Sequence, residues 1–465
     1  MSVKKLENGL FIFRRDLRIV DNKALTFLSK ICKKIYTVFI FTPEQVGSAN
    51  KYKSDCAVQF MIESLDELAS EIRSNGGHLY TFYGHNDKVV AECIKEFDIN
   101  IVAFNLDITP YARERDAKTG ALCDKMGVMV TYDNDYYLNS PTAITNGAGN
   151  PYQKFTPYYE TALKKKVDAP ERQRVIHFAK KNIYTHMIKT ITLDDAMRKF
   201  TRPNVNIMVN GGRKEALRML AKAVRTQNHY SETHNDLEKE TTMMSAPIKF
   251  GCVSIREVYK AFHGKKDLIR QLYWRDFYAQ IMYNFPYVLD RAMKPKYNKI
   301  RWHYNQTWFN AWCNGTTGFP IVDAGMRQMN ETGYMHNRAR LIVASFLVKT
   351  MLISWQYGEQ YFATKLTDYS PENNNGNWQW ISSSGADSQP FFRIFNPLTQ
   401  AEEHDPNCEY IKKWVPELMD VPVKDIHNWS TEFVNYKGIK YPKPICDYSI
   451  QREKTLKMYK DALYP

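Results

Sequence analysis

None of the eight cysteines, at positions 32, 56, 93, 123, 252, 313, 408 and 446, belongs to a CxxC pair or stands at metal-ligand spacing with a histidine. That scatter argues against a metal centre and fits reduced, mostly buried thiols in an intracellular protein. The N-terminal stretch MSVKKLENGLFIFRRDLR has no long apolar core, and no later run is long enough to cross a bilayer. A soluble chain of the cytoplasm or nucleus is expected, so the tripeptides NQT, NGT and NWS carry little weight as glycosylation signals. GxGxxG does not follow the first apolar run, and GxxxxGK followed by Ser or Thr occurs nowhere. Both gaps argue against dinucleotide and ATP sites of the usual kinds. Internal repeats and low-complexity tracts are missing as well.

What is present is basic and rich in aromatics. The formal net charge of +14 suits an anionic partner such as nucleic acid, and the 465 residues leave room for two or three domains. Short β-branched and aromatic runs recur as LFIF (10–13), YTVFIF (36–41), LYTFYG (79–84), NIVAFN (100–105) and VMVTYD (128–133). Helical patterns such as CAVQFMIESLDELASEIRSNG lie between them. The alternation predicts an α/β N-terminal domain over 1–133, built on a Rossmann-like parallel five-stranded sheet covered on both faces. Residues 134–205 mix Pro, Gly, Asn and Lys and read as a connector. Residues 206–465 predict an all-α domain, with helical periodicity from about 212 and a cap at Ser254.

Four stretches carry chemistry. FRRDLRIVDNKAL (13–25) follows the first strand and, taken alone, reads as a solvated loop and a helix start capped by Asp21 or Asn22. TTMMSAPIKFG (241–251) is a turn-rich loop whose hydroxyls and amides suit phosphate. QLYWRDFYAQIMY (271–283) clusters aromatics on a helix, a pattern that serves core packing as readily as binding. TGYMHNRARLIVASFLVKTMLISW (332–355) places Asn337, Arg338 and Arg340 at the start of an apolar helix, where they need anionic or polar partners. A fifth stretch, NNNGNWQWISSSGADSQPFFRIFNP (373–397), carries Trp378 and Trp380 in what looks like polar loop.

Together with PYQKFTPYY and TGFPIVDAGMRQMNETGYMHNRARLIVASFLVK, these motifs resemble the DNA photolyase/cryptochrome family, most closely class I-like photolyases that repair cyclobutane pyrimidine dimers. The resemblance runs from about residue 9 to about 430. It implies an FAD in the helical domain and DNA containing pyrimidine dimers as the partner of a monomeric lyase. Tyr230 and the loop Thr241, Thr242, Met243, Met244 and Ser245, with Arg275, would hold the phosphates. Asn337, Arg340, Asp368, Tyr369, Ser370 and Asn374 would contact the flavin, with Arg340 and Asp368 paired and Asn374 against its N5. Trp378, Trp355 and Trp302 would relay electrons, since indoles are oxidisable. Trp274 and Trp380 would cradle a flipped dimer, with Gln271, Asn337, Arg338, Leu341, Arg393 and Gln400 on the DNA side. Lys294, Lys296, Lys299 and Arg301 would extend the basic face.

Departures from the family pattern bear on efficiency and substrate. TTMMS stands where many members have TSRLS, so the loop's arginine is lost. Ser370 replaces a usual aspartate, Gln271 a usual glutamate and Leu341 a usual methionine. Gln271 resembles the (6-4) photolyases, but Asn337 and Leu341 stand where that group needs a histidine pair. A cryptochrome-type blue-light photoreceptor is the other alternative, against which stands the short tail after the last motif, MYKDALYP. For a second, antenna chromophore, Tyr111 and Ala112 replace the Asn-Glu pair of folate-binding members, which disfavours folate. A deazaflavin, a second flavin or an empty site stay open.

Overall fold

The computed structural model describes residues 5–172, 174–181 and 189–464. Positions 173 and 182–188, within the expected connector, lie outside the described residues. Five strands form one parallel sheet: β1 (Leu6–Phe13), β2 (Cys32–Phe41), β3 (Leu79–Tyr83), β4 (Ile101–Asn105) and β5 (Met129–Asp133), in the order β3-β2-β1-β4-β5. Each coincides with an apolar run found in the sequence. The register pairs Leu10 with Tyr36 and Val102, and Val38 with Tyr80. These central residues are buried because helices cover both faces, which is why the runs are continuous and not alternating.

The loop after β1 is not solvated. Asp16, Arg18, Asp21 and Asn22 are buried, and Asn22, not Asp21, caps the Lys23–Ile31 helix by accepting from the Leu25 N–H. Arg18 pairs with Asp135, and Arg256 bridges Asp21 and Asp135 at 3.0 and 2.6 Å. Mutual pairing is what makes burial of these charges tolerable.

The helical part also departs from expectation at 373–397. Pro371–Ile381 is a helix, with Pro371 in its first turn. Its polar residues are anchored: Asn375 Nδ2 and Gln379 Nε2 both donate to the Val288 carbonyl, at 2.9 and 2.8 Å.

By packing, the chain forms two compact units: 1–204 with 209–226 and 242–286, and 205–208 with 227–241 and 287–465. The expected connector contributes the helices Phe155–Ala162 and Leu193–Phe200. Among the described residues no helix is long and apolar enough to cross a membrane.

Candidate functional site

In the second unit, Arg340 on the Asn337–Lys349 helix donates from Nη2 to Asp368 and from Nε to the Met335 carbonyl, each at 2.9 Å. Burial opposes its charge, but Asp368 outweighs that and raises the guanidinium pKa. Arg340 also lies 5.6 Å from the centre of the Tyr334 ring, whose hydroxyl meets Thr241 Oγ1 at 3.1 Å. Thr241, Tyr334, Arg340 and Asp368 thus form one polar line.

Asn374 is fixed by its amide nitrogen, which donates to the Glu359 carbonyl at 2.9 Å and to Glu359 Oε1 at 3.0 Å. Both donor hydrogens are spent there, so the amide oxygen is the group left for a ligand. Ser370 is buried at the N-cap of the same helix and accepts from Asn373 at 3.4 Å. Tyr369 is half-buried against the core, and Tyr230 stacks on His234 at 5.1 Å.

His336, buried beside this line, accepts the Arg338 N–H at Nδ1, 3.2 Å. Burial, then Arg340 and Arg338, push its pKa down to about 4, so the ring is neutral with its proton on Nε2. That Nε2 is buried and has no hydrogen-bond partner among the described residues. A buried donor beside an arginine suits an acceptor-rich ligand, as an FAD's carbonyls and phosphates would be.

Of the relay candidates, Trp378 and Trp355 are buried in one core, while Trp302, half-buried, packs against that core and also against a second cluster, edge-on to Tyr459 at 6.2 Å. The three make no ring-to-ring contact with one another among the described residues. The ring edge-on to Trp378 at 6.2 Å is Trp312, fully buried and donating to the Val343 carbonyl at 3.0 Å.

On the DNA-side list, Asn337 is exposed and Arg338 is half-buried, donating twice to Asn235 Oδ1 at 2.6 and 3.2 Å. Leu341 and Trp380 are half-buried against the core. Arg393 is exposed, but its carbonyl accepts from Lys349 Nζ at 2.9 Å. Burial, then Arg393, lower the pKa of that lysine to about 7. Gln400 Nε2 reaches Glu403 at 3.4 Å, and its Oε1 is buried without a partner among the described residues.

In the first unit, Met243 takes a left-handed φ of 54° and the Met244 N–H reaches Thr242 Oγ1 at 3.4 Å, ahead of the short helix opened by Ser245. Arg275 Nη1 donates to the Tyr136 carbonyl at 2.5 Å, and its Nη2 is buried with no partner among the described residues, a second donor suited to an anionic group. Gln271 is exposed. Trp274 stacks on Phe155 with ring centroids 3.7 Å apart, so one face of that indole is already covered.

A family model described as the FAD binding domain of DNA photolyase matches residues 268–461, and one described as DNA photolyase matches residues 10–174. The chain belongs to the DNA photolyase/cryptochrome family. It is 34% identical to a deoxyribodipyrimidine photo-lyase of Halobacterium salinarum, over 97% of this chain and 99% of that one. Among solved structures, an archaeal photolyase from Sulfolobus tokodaii with two FAD molecules superposes with a TM-score of 0.87 at 37% identity, covering 98% of this chain and all of that one. A class III photolyase from Agrobacterium tumefaciens gives 0.90 at 28%, covering 99% of this chain and 98% of the other. As a member of this family the chain is an FAD protein.

Sequence reasoning missed Glu359, Trp312, Tyr334, His336 and Lys349. Tyr334 and His336 sit inside the quoted motif TGYMHNRARL, where the need to neutralise Arg340 and cap the helix was the available signal. Nothing local marks Glu359 or Trp312, whose partners are distant in sequence.

Proposed function

We propose that this chain is a deoxyribodipyrimidine photolyase that repairs cyclobutane pyrimidine dimers in DNA under light. The single observation that carries the reading is Asn374, held by Glu359 with its oxygen unspent among the described residues, in the same unit as the Arg340–Asp368 pair. Relatives named deoxyribodipyrimidine photo-lyase, similar over nearly the full length, support it.

Bound FAD supplies the light-driven one-electron chemistry. Arg340 and Asp368 would hold and orient the polar edge of the flavin, and His336 Nε2 would donate to an acceptor. The Asn374 oxygen would accept from a protonated ring nitrogen and favour the reduced cofactor. Trp378, Trp355 and Trp302 would pass electrons inward from solvent. Trp380 would pack on the dimer, while Arg338 and Arg393 hold phosphates. The protein's part is placement, water exclusion and electrostatics, with no general acid or base at the centre.

Acting on DNA places the chain inside the cell, and a monomer suffices for the reaction. The second FAD of the Sulfolobus tokodaii photolyase, described as implying a novel light-harvesting cofactor, favours a second flavin among the antenna options here. Purified protein is expected to carry one tightly held FAD for repair. A folded sample that takes up no flavin even when FAD is added contradicts the reading.

A further inference from the structure

Beside Trp302 the second unit has a cavity of about 1070 Å³, lined in part by Lys299, Arg301, His303, Tyr304, Lys454 and Lys457. Its volume is that of a small-molecule site. None of the residues assigned to flavin or dimer lines it. Lys299 and Arg301, which the sequence suggests as DNA contacts, therefore face a concavity of their own.

The charge is one-sided. Asp461, the single acid of the lining among the described residues, already pairs with Lys457 at 3.1 Å. Lys299, Arg301 and Lys454 form no salt bridge among the described residues and are exposed. Cations gathered around a concave wall focus positive potential and draw in anions. Tyr304, 48% exposed, offers a ring at the edge of the same cavity.

The cavity is also next to the outermost relay candidate. Trp302 lies between Arg301 and His303 in the chain, and its ring packs in a cluster with Leu352 and Met458, both of which line the cavity. The His303 N–H donates to the Leu352 carbonyl at 2.9 Å, which ties this backbone to the cavity floor. A cationic, partly aromatic bowl walled by the neighbours of an oxidisable indole has a chemical use that a phosphate-binding face lacks.

We propose that this cavity docks a small, flat, anionic one-electron donor that refills Trp302 after the relay has passed its electron inward. The inference rests on the relay reading given above. The donor, of the enediolate class, gives one electron to the indole radical cation. No bond is made or broken on the indole, and the oxidised donor loses its proton to water.

The test uses the FAD-loaded protein, ascorbate as probe, and the triple variant Lys299→Gln, Arg301→Gln, Lys454→Gln, all at exposed positions. Calorimetric titration is expected to show saturable, salt-weakened ascorbate binding that falls about tenfold in the variant. After a light flash, the decay rate of oxidised tryptophan should level off with rising ascorbate in the unsubstituted protein. In the variant it should be about tenfold slower and linear in ascorbate, while decay with neutral dithiothreitol at pH 7 is the same in both. Equal linear slopes in both proteins, or a variant that loses only affinity for undamaged DNA, overturns the proposal and returns these cations to a DNA-binding role. Saturable ascorbate binding with no oxidised tryptophan on illumination overturns it differently, because the relay reading has then failed and the binding has not.

Discussion

Gly358 presses against the indole of Trp378: a Cβ built on the glycine would overlap Cη2 and lie 2.5 Å from Cζ3, and 2.6 Å from Leu347 Cδ2. The absence of a side chain at Gly358 is what lets the Trp355–Lys365 helix hold this indole in place. Gly358→Ala is therefore expected to cost about 1–3 kcal/mol by overpacking. It should also slow photoreduction of the oxidised cofactor, because Trp378 must shift. Urea unfolding and blue-light bleaching of the flavin check the two effects, and an unchanged bleaching rate would make Trp378 a packing residue only.

Trp355→Phe should block reduction of oxidised FAD by external donors in blue light, while repair by chemically pre-reduced enzyme stays nearly intact. Trp312→Phe, which removes the indole edge-on to Trp378, should leave photoreduction close to that of the unsubstituted protein. A reversal of the two results would route the electron through Trp312.

Glu359 holds both hydrogens of the Asn374 amide. Glu359→Ala leaves that half-buried amide half-satisfied, at about 1 kcal/mol, and frees it to rotate. Reduced flavin in this variant is expected to reoxidise in air faster than in the unsubstituted protein. Equal half-times would mean that Asn374 does not control the reduced form.

Stability against pH tests His336. Its folded pKa, about 4, lies below its ordinary 6.5, so the unfolded chain takes up the proton first as pH falls. The stability it contributes is fully present above 6.5 and drains away towards 4, in all about 3 kcal/mol. Asp323, pushed up to about 6 by burial, acts with the opposite sign, so the comparison must be with a variant that keeps it. His336→Asn retains an N-cap acceptor and is expected to flatten the acid side of the denaturation profile. Parallel profiles would show that His336 is not the neutral buried group described above.

The strands were legible because each is a β-branched, aromatic run, buried through the centre of the sheet and half-exposed in the edge strand β5, and local composition alone marks such a run. The Pro371–Ile381 helix was not, because Asn and Gly are weak helix formers. It persists through bonds from Asn375 and Gln379 to Val288, roughly ninety residues away in sequence. The loop after β1 reads as solvated for the same reason: Asp135 and Arg256, which neutralise Arg18 and Asp21, are remote in the chain. The Arg340–Asp368 pair was legible only through the resemblance, since nothing local couples two residues that far apart.

Lesion choice is the central claim, and Gln271 and Arg338 bear on it. Gln271 always carries two donor hydrogens, but it has no proton to deliver to a dimer radical anion as a protonated glutamate could. Gln271→Glu should raise the quantum yield of ring splitting. Arg338→Ala should weaken binding to damaged DNA and lower its salt slope by about 1. The most direct measurement is light-dependent repair, by the reduced FAD-loaded protein, of two oligonucleotides that differ only in carrying a cyclobutane dimer or a (6-4) product. Splitting of the cyclobutane dimer alone, with none in the dark, is the expected result. Repair of the (6-4) product instead, or light-independent loss of either lesion, would contradict the account.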